Sequence, residues 1–268
     1  MQISLDCLTL TDTSPSEVVG SAAEAGFDLV SLWVQPPPIY PKAQLTPDQV
    51  RACKSQLSGS GLGVHSLEVF DLTSPEMLES YRPALEMGAE LGGHAALTYQ
   101  LTNPDCVQAA EVLAAFTEIA GEYGLAVNLE PVAMGQCASL AQACDLIAAS
   151  RADVGIMFDP WHLVRSGGTI EDLRAVESGR IRYVQVNDGL LSIPKEQYVP
   201  ESIGERLYPG DGEFPLADLL SLCPRDVPWA IECPSLRRAS EGFTPVQQAA
   251  DAHSAMKQLL HELGILQP

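Results

Sequence analysis

Residues Leu125–Pro131 read LAVNLEP and residues Val154–Pro160 read VGIMFDP. Each is a short apolar run that closes on a carboxylate, Glu130 or Asp159, followed at once by proline. Further on, Ile181–Asp188 (IRYVQVND) and Pro228–Pro234 (PWAIECP) repeat the design, ending on Gln185, Asn187 and Asp188 and on Glu232. An apolar run of this length fits a strand buried on both faces, as in a parallel sheet.

Working outward, four more runs of the same kind precede these: Ile3–Leu10, Phe27–Val34, Gly63–Phe70 and His94–Leu101. Helical patterns separate them, near Ser16–Ala25, Pro47–Ser58, Pro75–Leu91, Pro104–Tyr123, Ser139–Ala149, Ile170–Glu177, Leu216–Leu222 and Pro245–Leu263. Thr46-Pro47, Ser74-Pro75 and Thr244-Pro245 have the form of a helix cap followed by proline in the first turn. Strict alternation of strand and helix implies parallel strands with crossover helices. Eight units in 268 residues favour a closed (β/α)8 barrel, a TIM barrel forming one domain over residues 1–268, rather than an open doubly wound sheet. The first strand is not followed by G-x-G-x-x-G, which also argues against a dinucleotide-binding fold. Gln35–Pro41 (QPPPIYP) is expected to be a rigid surface loop, and Asp188–Gly212 the longest irregular segment.

The formal net charge is −20, a field that disfavours nucleic acid and anionic lipid. Seven cysteines with no C-x-x-C pair suggest buried free thiols rather than a disulfide framework. The beginning of the chain, MQISLDCLTL, lacks a basic segment and is broken by Asp6, so no signal peptide is expected. No membrane span is expected either, and cytoplasmic location is the default.

In a barrel of this kind the active site lies at the carboxyl ends of the strands. Glu130, Asp159 and Glu232, with Gln185, place an all-oxygen donor set on four neighbouring strand ends. Such a set suits a hard or borderline divalent cation, Mg²⁺, Mn²⁺ or Co²⁺, better than a structural zinc, although a catalytic zinc fits as well. The plain alternative, carboxylates capping strands through ion pairs, is weaker for the four together than for any one. Trp33 could line the pocket wall or merely pack, Glu68 could back the metal ligands or make an ion pair, Tyr99 stands at the pocket, and Trp161 could stack on a sugar face or cover the site. His94 reads as structural, His65 more often structural than not, and His253 and His261 as surface residues of the last helix.

The series NLEP, FDPWHLVRSGG, VQVND, RLYPGDGEFPL and IECPS resembles the serial signatures of the xylose isomerase-like TIM barrels, most strongly from Glu130 onward. That group includes sugar and sugar-phosphate isomerases and epimerases, inosose-type isomerases and dehydratases, and 3-dehydroshikimate dehydratases. The resemblance implies one divalent metal held by Glu130, Asp159, Gln185 and Glu232. It makes Asp159 and His162 an Asp-x-x-His pair and Arg206 a substrate contact. Many isomerases of the family carry His where this chain has Gln185, and glutamine there is similar to the 3-dehydroshikimate dehydratases. The implied activity is isomerisation or epimerisation of a polyhydroxylated carbonyl compound through proton abstraction and an enediolate, with Glu130 and Glu232 moving the proton. The alternatives are a dehydratase-like lyase with His162 as acid, and a non-catalytic binding barrel. The three-zinc endonucleases of the same architecture need more histidines and a basic face. Barrels of this family often pair, so a homodimer or homotetramer is expected.

Overall fold

The structure, a computed structural model, describes residues 1–102 and 105–266. Eight parallel strands close into a barrel in chain order: β1 (Ile3–Leu5), β2 (Leu29–Trp33), β3 (Gly63–Asp71), β4 (Ala95–Tyr99), β5 (Ala126–Leu129), β6 (Val154–Phe158), β7 (Ile181–Val186) and β8 (Trp229–Ile231). Closure is made by β1 pairing with β8, Ser4 opposite Ala230. The helices are α1 (Pro15–Ala25), α2 (Pro47–Leu57), α3 (Arg82–Glu90), α4 (Cys106–Glu122), α5 (Leu140–Ser150), α6 (Pro160–Arg165), α7 (Ile170–Arg174), α8 (Tyr198–Gly204), α9 (Leu216–Leu220), α10 (Leu236–Ser240) and α11 (Pro245–Glu262). The fold expected from strand–helix alternation is the fold observed.

Local chemistry sets where elements begin and end. Thr244 caps α11 reciprocally with Gln247, and Thr46 accepts the Gln49 N–H at the start of α2. Gly26 ends α1 at φ 84°, a left-handed turn that returns the chain to β2. Three expectations are corrected. The first strand stops at Leu5, because Asp6 Oδ1 accepts the Leu8 N–H and folds Cys7–Leu10 into a 3-10 turn. Ser74 makes no cap, and Pro75–Tyr81 is a 3-10 turn leading into α3. The expected start of the fourth helix, Pro104, lies outside the described residues. The loop expected to be irregular between Asp188 and Gly212 contains α8, and α6 and α10 were also not foreseen.

Side chains alternate along each strand, so two layers form. Outward residues such as Leu5, Val30, Val127, Ile156, Val184 and Ile231 pack with the helices into one large core. Inward residues Leu97, Met157, Tyr183 and Ala230 form a separate buried plug. Two positions beyond Met157 comes Asp159, beyond Tyr183 comes Gln185, and beyond Ala230 comes Glu232. The plug thus supports a polar layer at the carboxyl rim. Among the described residues, no helix is long and apolar enough to cross a membrane.

Candidate active site

Asp159 is both the last residue of the β6 run and the N-cap of α6, where its Oδ1 accepts the Trp161 N–H at 2.6 Å. Pro160 fills the first helical position, and His162 follows within the same turn. That is why the Asp-x-x-His spacing converges: His162 Nε2 lies 3.9 Å from Asp159 Oδ2. The same nitrogen lies 2.9 Å from Glu130 Oε1 at the end of β5. On the other side of the ring, Nδ1 is met at 3.1 Å by the Ala133 N–H, which can only donate. The ring proton therefore sits on Nε2 and is given to Glu130.

Arg206 reaches the centre from the segment after α8. Its Nε donates to Ser202 O at 3.0 Å and its backbone N–H to Pro234 O at 3.1 Å, so the stem is fixed. Its Nη1 donates to Asp159 Oδ2 at 2.7 Å and also to Glu232 Oε2. Gln185 Nε2 bonds Glu232 Oε1 at 3.2 Å and Asp6 Oδ2 at 3.0 Å. Asn187 Nδ2 holds Asp159 Oδ1 at 2.9 Å. Glu130, Asp159, His162, Gln185, Arg206 and Glu232 thus form one connected, buried group on β5 to β8.

The charges in this group do not balance. Burial pushes Asp159 up, but the charge of Arg206, the neighbouring His162 ring and the Asn187 and Trp161 hydrogen bonds outweigh it, and its carboxyl stays below the usual range. Glu232 goes the other way. Burial drives it well above the ordinary value against the pull of Arg206, and the charges of Asp6, Asp159 and Glu130 add to the rise. Glu68 is likewise pushed well up by burial and then by Asp6 and Glu130. Five carboxyl groups (Asp6, Glu68, Glu130, Asp159 and Glu232) are buried at this rim, and the guanidinium of Arg206 bonds two of them, Asp159 and Glu232.

The remaining expected site residues fall differently. Glu68 is buried with no basic partner among the described residues, so the ion pair considered for it is not formed there; its Oε2 receives the Cys7 thiol at 3.7 Å. Trp33 is partly exposed and packs against Leu8, Tyr40 and Ala43. Tyr99 is partly buried, close enough to Glu130 and Asp71 for their charges, after burial, to raise its phenol. Trp161 is a correction. It is fully buried, its Nε1 donates to Glu201 at 2.7 Å, and the guanidinium carbons of Arg206 and Arg165 lie 5.2 and 5.5 Å from its ring. It has no free face for a sugar and instead backs Arg206. His253 is also corrected: it is buried against Phe27, ring centres 4.7 Å apart.

The sequence reading missed Asp6 as a site residue, although Ser4 and Asp6 already show the inward alternation of β1. It gave Asp188 no role. Its carboxylate accepts the N–H groups of Gly189, Gly210, Gly212 and Phe214, stapling the loop that carries Arg206. Gly212 comes so close that a Cβ there would lie 2.3 Å from Asp188 Oδ1.

The donor set fits a divalent cation. Glu130, Asp159 and His162 offer ligand atoms that all lie within 4.8 Å of one another. Gln185 Oε1 is buried with no hydrogen-bond partner among the described residues, and the surplus of buried carboxyl groups calls for positive charge.

An inosose isomerase of Bacillus velezensis is 33% identical to this chain over 115 residues, spanning 42% of this chain and 40% of that protein. The crystal structure of the IOLI protein with a bound zinc atom superposes with a TM-score of 0.80 at 16% identity, covering 98% of this chain and 99% of that one. A D-psicose 3-epimerase from Clostridium cellulolyticum H10, determined with D-tagatose, gives 0.72 at 14% identity over 98% and 99% of the two chains. At such identities the structures speak for the fold, and the match to the isomerase spans less than half of its length. The family model described as xylose isomerase-like TIM barrel matches residues 19–257, and the chain belongs to that family.

Proposed function

We propose that the protein is a divalent-metal-dependent isomerase or epimerase of a polyhydroxylated ketone or aldehyde, of the inosose or ketose kind. The observation that carries this reading is the connected buried group on β5 to β8, in which Glu130 is paired with His162, Glu232 with Arg206, and Gln185 Oε1 is left unpartnered. The similarity to inosose isomerases supports the substrate class.

Glu130, Asp159, Gln185 and Glu232 would hold the ion, with His162 beside it. A bound divalent ion supplies polarisation of a carbonyl and its neighbouring hydroxyl, which lowers the barrier to removing the proton between them. The chain does the rest. Glu232, driven toward its protonated form by burial, and Glu130, which accepts a hydrogen bond from His162 Nε2, provide the two carboxyl groups. One accepts the carbon-bound proton and one returns a proton, so an enediolate is formed and quenched without net loss of atoms. Arg206, always charged and held from three sides, stabilises the negative oxygen of that species.

The test is incubation of the Mn²⁺-loaded protein with a panel of inososes and ketoses in deuterated water. The expected result is an isomeric product carrying deuterium at the carbon next to the carbonyl, abolished in Glu232→Gln with the fold intact. A conjugated, ultraviolet-absorbing product would assign a dehydratase instead, and unchanged turnover in Glu232→Gln would refute the role of that residue.

A further inference from the structure

A carboxamide has two ends of nearly equal size, so a glutamine that must present oxygen to an electrophile needs something to hold its nitrogen. Gln185 has such a holder. Its Nε2 reaches Asp6 Oδ2 at 3.0 Å, from β7 across to the end of β1. Asp6 is completely buried and is fixed by other donors: the Leu8 N–H at 2.9 Å, the Ser31 hydroxyl at 3.2 Å and the Tyr183 hydroxyl at 3.4 Å. No basic side chain pairs with it among the described residues, and with no exposed surface it does not itself meet a substrate. The other Nε2 hydrogen goes to Glu232, so both N–H groups are used and Oε1 alone is free.

We propose that Asp6 is a positioning residue that locks the side-chain amide of Gln185, turning its oxygen into a dedicated ligand atom. A carboxylate on a ligand histidine's second nitrogen does the same work of fixing which atom faces the ion. Here Asp6 Oδ2 accepts from Gln185 Nε2 and so leaves Oε1 as the end that faces the ion. The inference rests on the proposal that Gln185 faces a bound ion.

The test is Mn²⁺ binding, by calorimetry and by loss of the free-ion electron spin resonance signal, in the full chain and in Asp6→Asn. Asparagine keeps the size but can present either end to Gln185. The expected loss is about 10- to 100-fold in Mn²⁺ affinity. The same substitution placed on Gln185→Glu should produce no loss, because a carboxylate has no wrong end to present. Ser31→Ala, which loosens Asp6 without removing it, should give a smaller loss in the same direction and serves if Asp6→Asn folds poorly. Unchanged affinity in both Asp6→Asn and Ser31→Ala overturns the role of Asp6, as does an equal loss in the Gln185→Glu background, which would mark a merely structural effect. Absence of Mn²⁺ binding in the unsubstituted protein would overturn the metal site itself, a separate and recognisable failure.

Discussion

Arg206 Nη1 lies 2.7 Å from Asp159 Oδ2 and donates to the Glu232 carboxylate as well, so one guanidinium ties the ends of β6 and β8 together. Both carboxylates are buried, and removal of the cation strands them. Arg206→Ala should cost about 3–5 kcal/mol in urea unfolding of the metal-free protein, the range for breaking a buried pair. Arg206→Lys should retain more stability yet lose most turnover, since one ammonium does not reproduce the fixed fork. A loss under about 1 kcal/mol in the alanine variant would mean that the bridge does not exist in solution.

Glu232 gives a pH dependence of known sign. Burial raises its folded value well above the ordinary carboxyl range, so between the two values the folded state binds more protons than the unfolded one. The stability it contributes is therefore present at lower pH and is lost as pH rises through the raised folded value. Melting of metal-free protein across that interval should show a decline toward alkaline pH that Glu232→Gln flattens. Mn²⁺ should stabilise the unsubstituted protein more at the alkaline end, where the carboxyl groups are ionised. Equal stabilisation at both ends would contradict the charge deficit.

His65 works in the opposite direction. Its ring packs edge-on against Tyr183, centres 4.8 Å apart, and its Nε2 is buried without a hydrogen-bond partner among the described residues. Burial, then the charge of His94, lowers it from 6.5 to about 4. Between these values the unfolded chain binds the extra proton, so stability falls as pH drops from 6.5 toward 4, by up to about 1.4 kcal/mol per pH unit. Urea unfolding of His65→Phe beside the unsubstituted protein should show that slope removed. Parallel slopes would rule out a neutral buried His65.

The segment that delivers Arg206 is held by a strut. Arg165 bonds Glu201 of α8 through Nε at 2.8 Å and Nη2 at 2.9 Å, and Trp161 Nε1 joins the same carboxylate. Arg165 also lies 5.6 and 5.3 Å from the rings of Tyr198 and Phe214. Glu201→Gln should speed hydrogen exchange across α8 and lower kcat/KM while leaving exchange in β5 to β8 unchanged. Uniform acceleration throughout the barrel would indicate general destabilisation rather than release of this segment.

Much of this was legible in the residues. The runs LAVNLEP, VGIMFDP, VQVND and PWAIECP pointed to strands because short apolar runs closed by a polar residue fit a parallel sheet buried on both faces. Asp159 and His162 came together through the family resemblance; the turn of α6 that brings them within 3.9 Å was not read from the residues. Asp6 was not, because its partner Gln185 lies 179 residues away and only barrel closure between β1 and β8 brings them near. Trp161 was misread for a related reason: its environment is built by Arg206 and Glu201 from a loop whose helix carries little periodic signal. The six-residue α6 was likewise too short to stand out until Asp159 was seen capping it.

A crystal of the protein grown with Mn²⁺ and measured for anomalous scattering should show one strong peak bound by Glu130, Asp159, Glu232 and the side-chain oxygen of Gln185. A well-ordered site with no anomalous peak, Arg206 still joining Asp159 to Glu232 at saturating Mn²⁺, would contradict it.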